Sequence, residues 1–189
     1  MSFLRRESRK YSSWFLIVIG LSLATIVSAS AIAYIKNASN TKSPIPNTVI
    51  IDKVFVDKSE RVLKLLSQGE VVKTYHIALG DNPIGHKQQE GDERTPVGNY
   101  TLDYKNENSI AHRSIHISYP NATDKAKAQS LGINPGGNIM IHGQMNGFGH
   151  LAWINQRRNW TDGCIAVTNS EMDEIMAVVK VGTAIEIVE

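Results

Sequence analysis

From residue 48 onward the chain alternates between short apolar runs and polar turns, a pattern typical of β-strands. Runs rich in valine, isoleucine and tyrosine predict strands at Thr48–Val56, Arg61–Ser67, Glu70–Leu79, Val97–Tyr104, Arg113–Ser118, Asn138–His142 and Thr183–Val188. Hairpin-type turns separate the first three strands. In the first run the apolar positions do not alternate cleanly, which predicts a bulge or a change of face. This order favours a mainly β fold, a β-sandwich or small barrel with a few helices, over a parallel α/β sheet.

Two stretches carry helical patterns. One has apolar residues at positions i, i+3, i+4 and i+7 of a helix: Met172, Ile175, Met176 and Val179. It predicts a helix over Ser170–Lys180, with Thr168 or Ser170 as the N-terminal cap and Gly182 as the end. The other stretch, Asn121–Leu131, predicts a shorter helix that begins at a polar capping residue.

The N-terminal part of the chain has the pattern of a membrane anchor. Residues 1–13 are basic, and residues 14–35 form a run of 22 residues without charge or proline. At about 1.5 Å rise per residue, a helix of this length spans a hydrocarbon core of roughly 30 Å. Residues 36–47 predict a polar linker, and residues 48–189 one catalytic domain. A cleaved signal peptide is the alternative, because the small residues at Ala29–Ala33 offer cleavage patterns.

Positive charge is concentrated before this apolar run. Four of the twenty basic residues and one of the eighteen acidic residues lie in residues 1–10, so the rest has sixteen basic and seventeen acidic residues. Basic residues before the run predict an N-terminus inside and a domain outside the cytoplasm, on the periplasmic side of the cell envelope. The nearly neutral remainder offers no basic face, which excludes a nucleic-acid partner.

The run Asn138–His142 carries the first candidate for chemistry. Side chains alternate between the two faces of a strand, so Ile139 and Ile141 share one face, and the histidine shares the other with Met140. The run therefore predicts a histidine at the end of a strand, followed directly by the small residue Gly143.

The second candidate is the single cysteine of the chain, Cys164, 22 positions after His142. A thiol with an ordinary pKa of about 8.5 is mostly protonated at neutral pH, and a neighbouring imidazole can take its proton. The backbone carbonyl of Gly143 can hold the other ring nitrogen. Gly163 removes side-chain bulk beside the sulfur, and the amides of Asp162, Gly163 and Cys164 can converge to form an oxyanion hole.

Both residues also have plainer interpretations. A lone cysteine next to Ile165 and Val167 is often a small buried apolar residue, and a histidine on a strand is often purely structural. The cysteine and the histidine together favour a nucleophile with its base, and the structural alternative stays open on the residues alone.

Two motifs resemble the signature of the L,D-transpeptidase catalytic-domain family. They are Ile141-His142-Gly143 and Thr161-Asp162-Gly163-Cys164-Ile165, and in the family a histidine-glycine pair precedes a Ser/Thr-x-Gly-Cys element. Upstream, the segment Gly91–Tyr100 contains Thr95-Pro96-Val97-Gly98, which looks like the Thr-Pro-x-Gly turn of the family. This turn ends a long polar loop over Gly80–Pro96, and loops of that length are usually functional.

The resemblance covers most of residues 48–188 and implies a β-rich enzyme that acts on bacterial peptidoglycan. In such enzymes the cysteine attacks a donor stem peptide after its third residue, meso-diaminopimelate. The acyl group then passes to an amine in cell-wall synthesis or remodelling, or to water in hydrolytic relatives. The resemblance implies that Cys164 is the nucleophile, His142 the base and later acid, and Gly143 the residue that orients the imidazole. Thr161 supports the loop and is a candidate for substrate binding.

The chain departs from the family pattern at two positions. It has Asp162 where histidine often precedes Gly-Cys, and Ala166 where arginine often lies two residues after the cysteine. If that arginine binds substrate in relatives, Arg157 or Arg158 is expected to do so here. An acid beside a thiol also raises the pKa of the thiol. These departures keep two alternatives open: a hydrolase (an L,D-carboxypeptidase or amidase) and a non-catalytic peptidoglycan-binding domain.

Other aromatic and histidine residues are candidates for the same site. His150, 14 residues before the cysteine, is an alternative base in a glycine-rich segment with Trp153 that suits a lid. Trp160 suits a stem-peptide groove or plain aromatic packing. His112 and His116 share a strand face, where one can line the cleft, and no zinc pattern accompanies them. No metal or cofactor is expected, and the expected partners are peptidoglycan stem peptides and, through the N-terminal helix, the membrane.

Overall fold

A computed structural model describes residues 44–46 and 48–189, and within them it contains eight strands and three α-helices. The strands are β1 (Lys53–Asp57), β2 (Val62–Ser67), β3 (Glu70–His76), β4 (Gly98–Ser109), β5 (His112–Ile117), β6 (Met140–His142), β7 (Ile165–Ala166) and β8 (Ala184–Val188). The helices are α1 (Ala122–Leu131), α2 (Ala152–Asn155) and α3 (Asn169–Val178), and a 3₁₀ turn spans Gly149–Leu151. The mainly β fold with a few helices is therefore confirmed.

The strands form one mixed sheet that curls until its two ends meet. Their order is β3-β2-β1-β8-β4-β5-β6-β7, and neighbours are antiparallel except for the parallel pairs β1–β8 and β6–β7. Ala78, just beyond β3, exchanges two backbone hydrogen bonds with Ala166 of β7, at 2.9 and 2.8 Å. This bridge joins the first and last strands of the order, so the sheet has the barrel-like form that the sequence predicts.

Strand β1 is shorter than predicted, and its start explains the irregular pattern of the first apolar run. The strand begins at Lys53 rather than Thr48, and inside it Val54 and Val56 are fully buried between less buried neighbours. Alternation is therefore regular within the strand, and the break belongs to the segment before it. No bulge is needed in β1, whose pairing with β8 runs without a shift.

Helix α3 forms where the apolar pattern predicts it and packs on the sheet beside the functional motifs. The hydroxyl of Thr168 accepts a hydrogen bond from the amide of Glu171, and the side chain of Glu171 accepts one from the amide of Thr168. This capping box fixes the start of the helix. The helix ends at Val178 rather than near Gly182, because Val179 already has an extended backbone.

Four elements around the motifs differ from the prediction. Strand β4 continues to Ser109, five residues beyond its predicted end, and β3 ends at His76, with its continuation present only as the bridge at Ala78. Strand β7 and helix α2 were not predicted, since two and four residues are too few to produce a periodic pattern.

The predicted N-terminal segments lie almost wholly outside the described residues. These segments are the basic residues 1–13, the apolar run 14–35 with its alternative cleavage sites, and the linker 36–47 apart from residues 44–46. Among the residues that the structure does describe, no helix has the length and apolar character needed to cross a bilayer.

Candidate active site

The pairing of β6 with β7 brings the two candidate catalytic residues to one groove. The strands run parallel, with His142 opposite Ala166 and Ile141 opposite Ile165. Ile141 and Ile165 are fully buried in the core, so the alternate positions, which include Cys164 and His142, face away from it. Both side chains line a groove of about 590 Å³.

The imidazole of His142 is held in one tautomer by the backbone that follows it. Its Nδ1 lies 2.6 Å from the carbonyl oxygen of Gly143, and because a carbonyl only accepts, Nδ1 must donate. The lone pair of the neutral ring is then on Nε2. A side chain at position 143 would meet Asn169 Oδ1 at 2.8 Å and His112 Cβ at 2.9 Å, so this position requires glycine.

Burial keeps His142 neutral. It lowers the pKa of the imidazole below the ordinary value of 6.5, and the hydrogen bond to Gly143 opposes this only in part. The ring of Trp160 meets the imidazole edge-on, with centroids 5.6 Å apart and an interplanar angle of 71°. This contact covers one side of the base and leaves a rigid aromatic wall in the groove.

The thiol of Cys164 is hydrogen-bonded to the backbone of β6 and of Asn138, two residues before that strand. Its Sγ accepts from the amide of Met140 at 3.4 Å and donates to the carbonyl of Asn138 at 3.6 Å. Burial raises the pKa of the thiol, and the Asp162 carboxylate adds to that rise. The Met140 amide and the charge of Lys87 lower the pKa. Since burial is the largest of these effects, the resting pair is a neutral thiol and a neutral imidazole.

The turn before the cysteine is closed by Thr161. Its hydroxyl donates to the carbonyl of Cys164 at 2.7 Å and accepts from the amide of Gly163 at 3.3 Å. Thr161 also lines the groove, as do Asp162 and Trp160. The amide of Gly163 is therefore used inside the turn, whereas the sequence expectation had it converge with the amides on either side.

Gly163 has a second reason to be glycine that sequence reasoning missed. Its φ is +110°, and a Cβ there would lie 2.5 Å from the carbonyl oxygen of Arg94. The fully buried Thr95 donates its hydroxyl to the carbonyl of Gly163 at 2.9 Å. The loop over residues 80–97 thus forms the back wall of the cysteine turn. The Thr-Pro-x-Gly motif marked this loop in the sequence, but the motif did not reveal that the loop packs against Gly163.

The opposite side of the groove, its outer rim, comes from residues that sequence reasoning did not single out. They belong to the end of β4, the hairpin tip and two neighbouring segments: Asn106, Asn108, Ser109, Ile110, Ala111, Ser114 and Met145. Asn138 and Met140 also line the groove, where they contact Cys164. The one usable signal was the change from alternating to continuously polar residues at Asn106–Ser109, which marks a strand end that leaves the core.

Several predicted site residues lie away from the groove. His150, Arg157 and Arg158 are exposed and are not among the residues that line it. The guanidinium of Arg157 instead lies over the ring of Trp153, 5.6 Å from its centroid. Their side chains leave the groove because residues 149–155 coil into the 3₁₀ turn and α2.

The predicted strand histidines are also engaged elsewhere. His112 Nε2 pairs with Asp173 Oδ1 at 2.8 Å, and His116 pairs with Asp103 and stacks on Tyr104. Neither belongs to the residues that line the groove. Within residues 44–46 and 48–189, no three His, Cys, Asp or Glu side chains gather in an arrangement that could hold a metal ion.

Comparisons with known proteins converge on one family. The model of the YkuD family, the L,D-transpeptidase catalytic domain, matches residues 51–187. The chain is 30% identical over 125 residues to "Putative L,D-transpeptidase YafK" of Escherichia coli K12, which covers 62% of this chain and 43% of that protein. The chain thus spans less than half the length of this curated relative.

Solved structures resemble the same part of the chain. The helical cell shape determining protein Pgp2 of Campylobacter jejuni has a TM-score of 0.56 and 25% identity, over 75% of this chain and 49% of that one. Bd1075 of Bdellovibrio bacteriovorus has a TM-score of 0.52 and 19% identity, over 78% of this chain and 51% of that one. The second likeness concerns the fold alone.

Proposed function

The chain belongs to the YkuD family of L,D-transpeptidase catalytic domains, and we propose that it transfers peptidoglycan stem peptides through a thioester on Cys164. The observation that carries this proposal is that one groove is lined both by the thiol and by an imidazole whose Nδ1 is fixed by Gly143. That fixed tautomer leaves Nε2 of His142 as the proton acceptor.

In the proposed reaction, His142 Nε2 takes the proton of Cys164 as the sulfur attacks the carbonyl carbon of the donor peptide bond. The amides of Asp162 and Cys164 stabilise the oxyanion, since the amide of Gly163 is bonded to Thr161. The tetrahedral intermediate collapses, and the leaving amine takes the proton from His142. An acceptor amine then gives a proton to His142 and attacks the thioester carbon, and the thiolate leaves and is reprotonated.

The electrostatics of the site favour proton transfer during the attack rather than a preformed ion pair. Burial raises the pKa of Cys164 and lowers that of His142, so charge separation is costly in the free protein. A substrate carbonyl in the groove supplies the developing oxyanion that the donors stabilise. The thiol is therefore expected to be slow towards small alkylating agents and faster towards a bound peptide.

The carboxylate of Asp162 supports a second candidate, hydrolysis of the same thioester. It is exposed at the groove next to Cys164, where it can orient a water molecule. The product would then be a shortened or released peptide rather than a new cross-link. The two candidates share the acylation step and differ only in what attacks the thioester.

Incubation of the full chain with purified muropeptides, followed by mass analysis, tests both candidates. Exchanged or cross-linked products indicate transfer, and loss of a residue or of an attached peptide indicates hydrolysis. We expect Cys164→Ala and His142→Ala to lose about 10⁴-fold or more in rate, and the exposed His150→Ala to match the parent chain. Full activity of Cys164→Ala would overturn both candidates.

We further propose that residues 14–35 anchor the chain in the membrane, with residues 48–189 on the periplasmic side of the envelope. The support is the uncharged run and the basic residues before it. Protease treatment of intact spheroplasts should digest the domain while a cytoplasmic marker stays whole. Recovery of the domain in the soluble periplasmic fraction, shortened at Ala29–Ala33, would instead indicate a cleaved signal peptide.

A further inference from the structure

The long loop behind the cysteine turn is organised around one carboxylate. Asp92 Oδ2 accepts from the amides of Gln88 at 2.7 Å and Gln89 at 3.1 Å, and its Oδ1 accepts from the amide of Arg94 at 3.1 Å. These bonds lower the pKa of Asp92, so it stays ionised although it is partly buried. A single side chain thus closes the segment 88–94 on itself.

A buried lysine completes this unit. Only 3% of Lys87 is exposed, and its Nζ donates to Asp92 Oδ1 at 2.8 Å and to the carbonyl of Gln89 at 3.0 Å. Burial of a lysine is costly unless a carboxylate and further acceptors compensate it. A lysine that only closes a surface loop can do so while its ammonium group stays in solvent. The burial of Lys87 therefore suggests that its charge has a second role.

The segment directly after this unit contacts the cysteine turn. The carbonyl of Arg94 lies against Gly163, and the hydroxyl of Thr95 is bonded to the carbonyl of the same glycine. On the other side, Glu93 is so close to Gly80 that a Cβ at position 80 would collide with its carbonyl oxygen. The backbone of residues 93–95 is therefore held between Gly80 and Gly163.

We propose that Lys87 is a positioning residue for Cys164: with Asp92 it fixes the segment that seats Gly163, and it keeps a buried positive charge in the loop that backs the cysteine turn. The proposal rests on the proposed role of Cys164 as nucleophile. Two charged groups act on the pKa of this thiol, Asp162 next to it in the chain and Lys87, and His142 lines the same groove. Lys87 opposes the effects of burial and of Asp162 on the thiol pKa.

The test measures the rate at which iodoacetamide alkylates the full chain as a function of pH. Because the chain has one cysteine, the signal belongs to Cys164 alone. We expect Lys87→Met to move the midpoint of this profile to higher pH, since a cation that favours the thiolate is gone. The double variant Lys87→Met/Asp92→Asn should shift in the same direction without leaving a buried carboxylate unpaired. Lys87→Arg, which keeps the charge, should return the midpoint towards that of the parent chain.

A second buried lysine provides the matched control. Lys58 is also 3% exposed, and its Nζ donates to Glu189 at 2.9 Å and to the carbonyl of Gly85 at 2.6 Å, at the start of the same loop. Lys58→Met therefore removes a comparable buried ion pair and a contact with the start of the same loop, but Lys58 is not among the charges that act on the thiol pKa. We expect its alkylation midpoint to equal that of the parent chain.

Thermal denaturation of every variant shows which ones are folded when they are alkylated. An unchanged midpoint in folded Lys87→Met and in the double variant would overturn the proposal, as would an equal shift in Lys58→Met. In the muropeptide assay we expect Lys87→Met to lose about 10- to 100-fold in kcat/KM, the scale of a slightly misplaced nucleophile. Alkylation needs no peptidoglycan, so failure of the proposed acyl transfer would leave this result readable.

Discussion

The two sides of the groove are built in different ways. On the inner side, the cysteine turn and residues 93–95 meet through backbone atoms, with Thr95 fully buried and Gly163 in contact with the carbonyl of Arg94. On the outer side, apolar side chains face solvent, with Ile110 75% exposed; Phe148 and Trp153, on the adjoining segment, are 54% and 64% exposed. The contrast teaches that Cys164 is held by its neighbours in the folded loop, whereas the outer side presents exposed side chains that can adapt to what they contact.

Two glycines with positive φ test this contrast most strongly. Gly163→Ala should lower the free energy of unfolding by about 2–5 kcal/mol and abolish acylation, because the methyl group collides with backbone of the loop. Gly147, near the outer side, has φ +86° and no atom within 4 Å of an added Cβ. Gly147→Ala should cost only about 1 kcal/mol. Urea denaturation measures both, and equal costs would mean that φ strain alone, not the loop contact, decides the inner side.

The next test removes one buried hydroxyl, on the inner side of the groove, and one exposed hydroxyl as a control. Thr95→Val should lower the free energy of unfolding by about 2 kcal/mol, since the buried carbonyl of Gly163 loses its donor. The control is Thr101→Val, whose hydroxyl makes an exposed hydrogen bond with Ser118 at 3.0 Å. That variant should stay within about 0.5 kcal/mol of the parent chain. A smaller loss for Thr95 than for Thr101 would contradict a back wall held by this bond.

The pH dependence of the reaction tests the electrostatics of the inner side. Protonation of His142 Nε2 removes the base, so kcat/KM should fall about tenfold per pH unit below the midpoint. That midpoint should lie below 6.5, because burial lowers the pKa of the imidazole. The unfolded chain then binds the proton more readily, so the free energy of unfolding also falls as the pH drops through 6.5. His150→Ala should leave the profile unchanged, and a profile that follows His150 would assign the base to the outer segment.

The smallest effect is expected at the outer side. Trp153→Ala should change the free energy of unfolding by no more than about 0.5 kcal/mol, because its ring is exposed and its contact with Arg157 is a surface one. We expect Trp153→Ala to change KM for muropeptides and to preserve kcat, as for a side chain that contacts the substrate but takes no part in the reaction. A large loss of stability would show that this segment belongs to the core.

Sequence reasoning identified the inner residues whose role follows from local pattern. The alternation in Asn138–His142 places the histidine on the face away from the core. Gly143, after the histidine, and Gly163, before the cysteine, mark positions where other atoms approach the backbone closely. Arg157 and Arg158 follow a four-residue helix that is too short to show periodicity, so the sequence had no pattern that could place them relative to the groove, and their role in substrate binding stays a prediction. Sequence reasoning also missed Lys87, since a lysine in a polar loop is normally solvated and only the folded loop brings Asp92 to it.

The closure of the sheet has a consequence for the mobility of Cys164. Strand β7 has only two residues, yet Ala166 is bonded through both its amide and its carbonyl to Ala78, and the next amide, of Val167, is bonded to the carbonyl of His142. Detachment of one neighbour leaves the other in place, so this segment opens only when the whole sheet does. Its amides should therefore be among the slowest in native-state hydrogen exchange. Cys164, the proposed nucleophile, thus lies beside a stretch that is expected to be among the least dynamic of the domain.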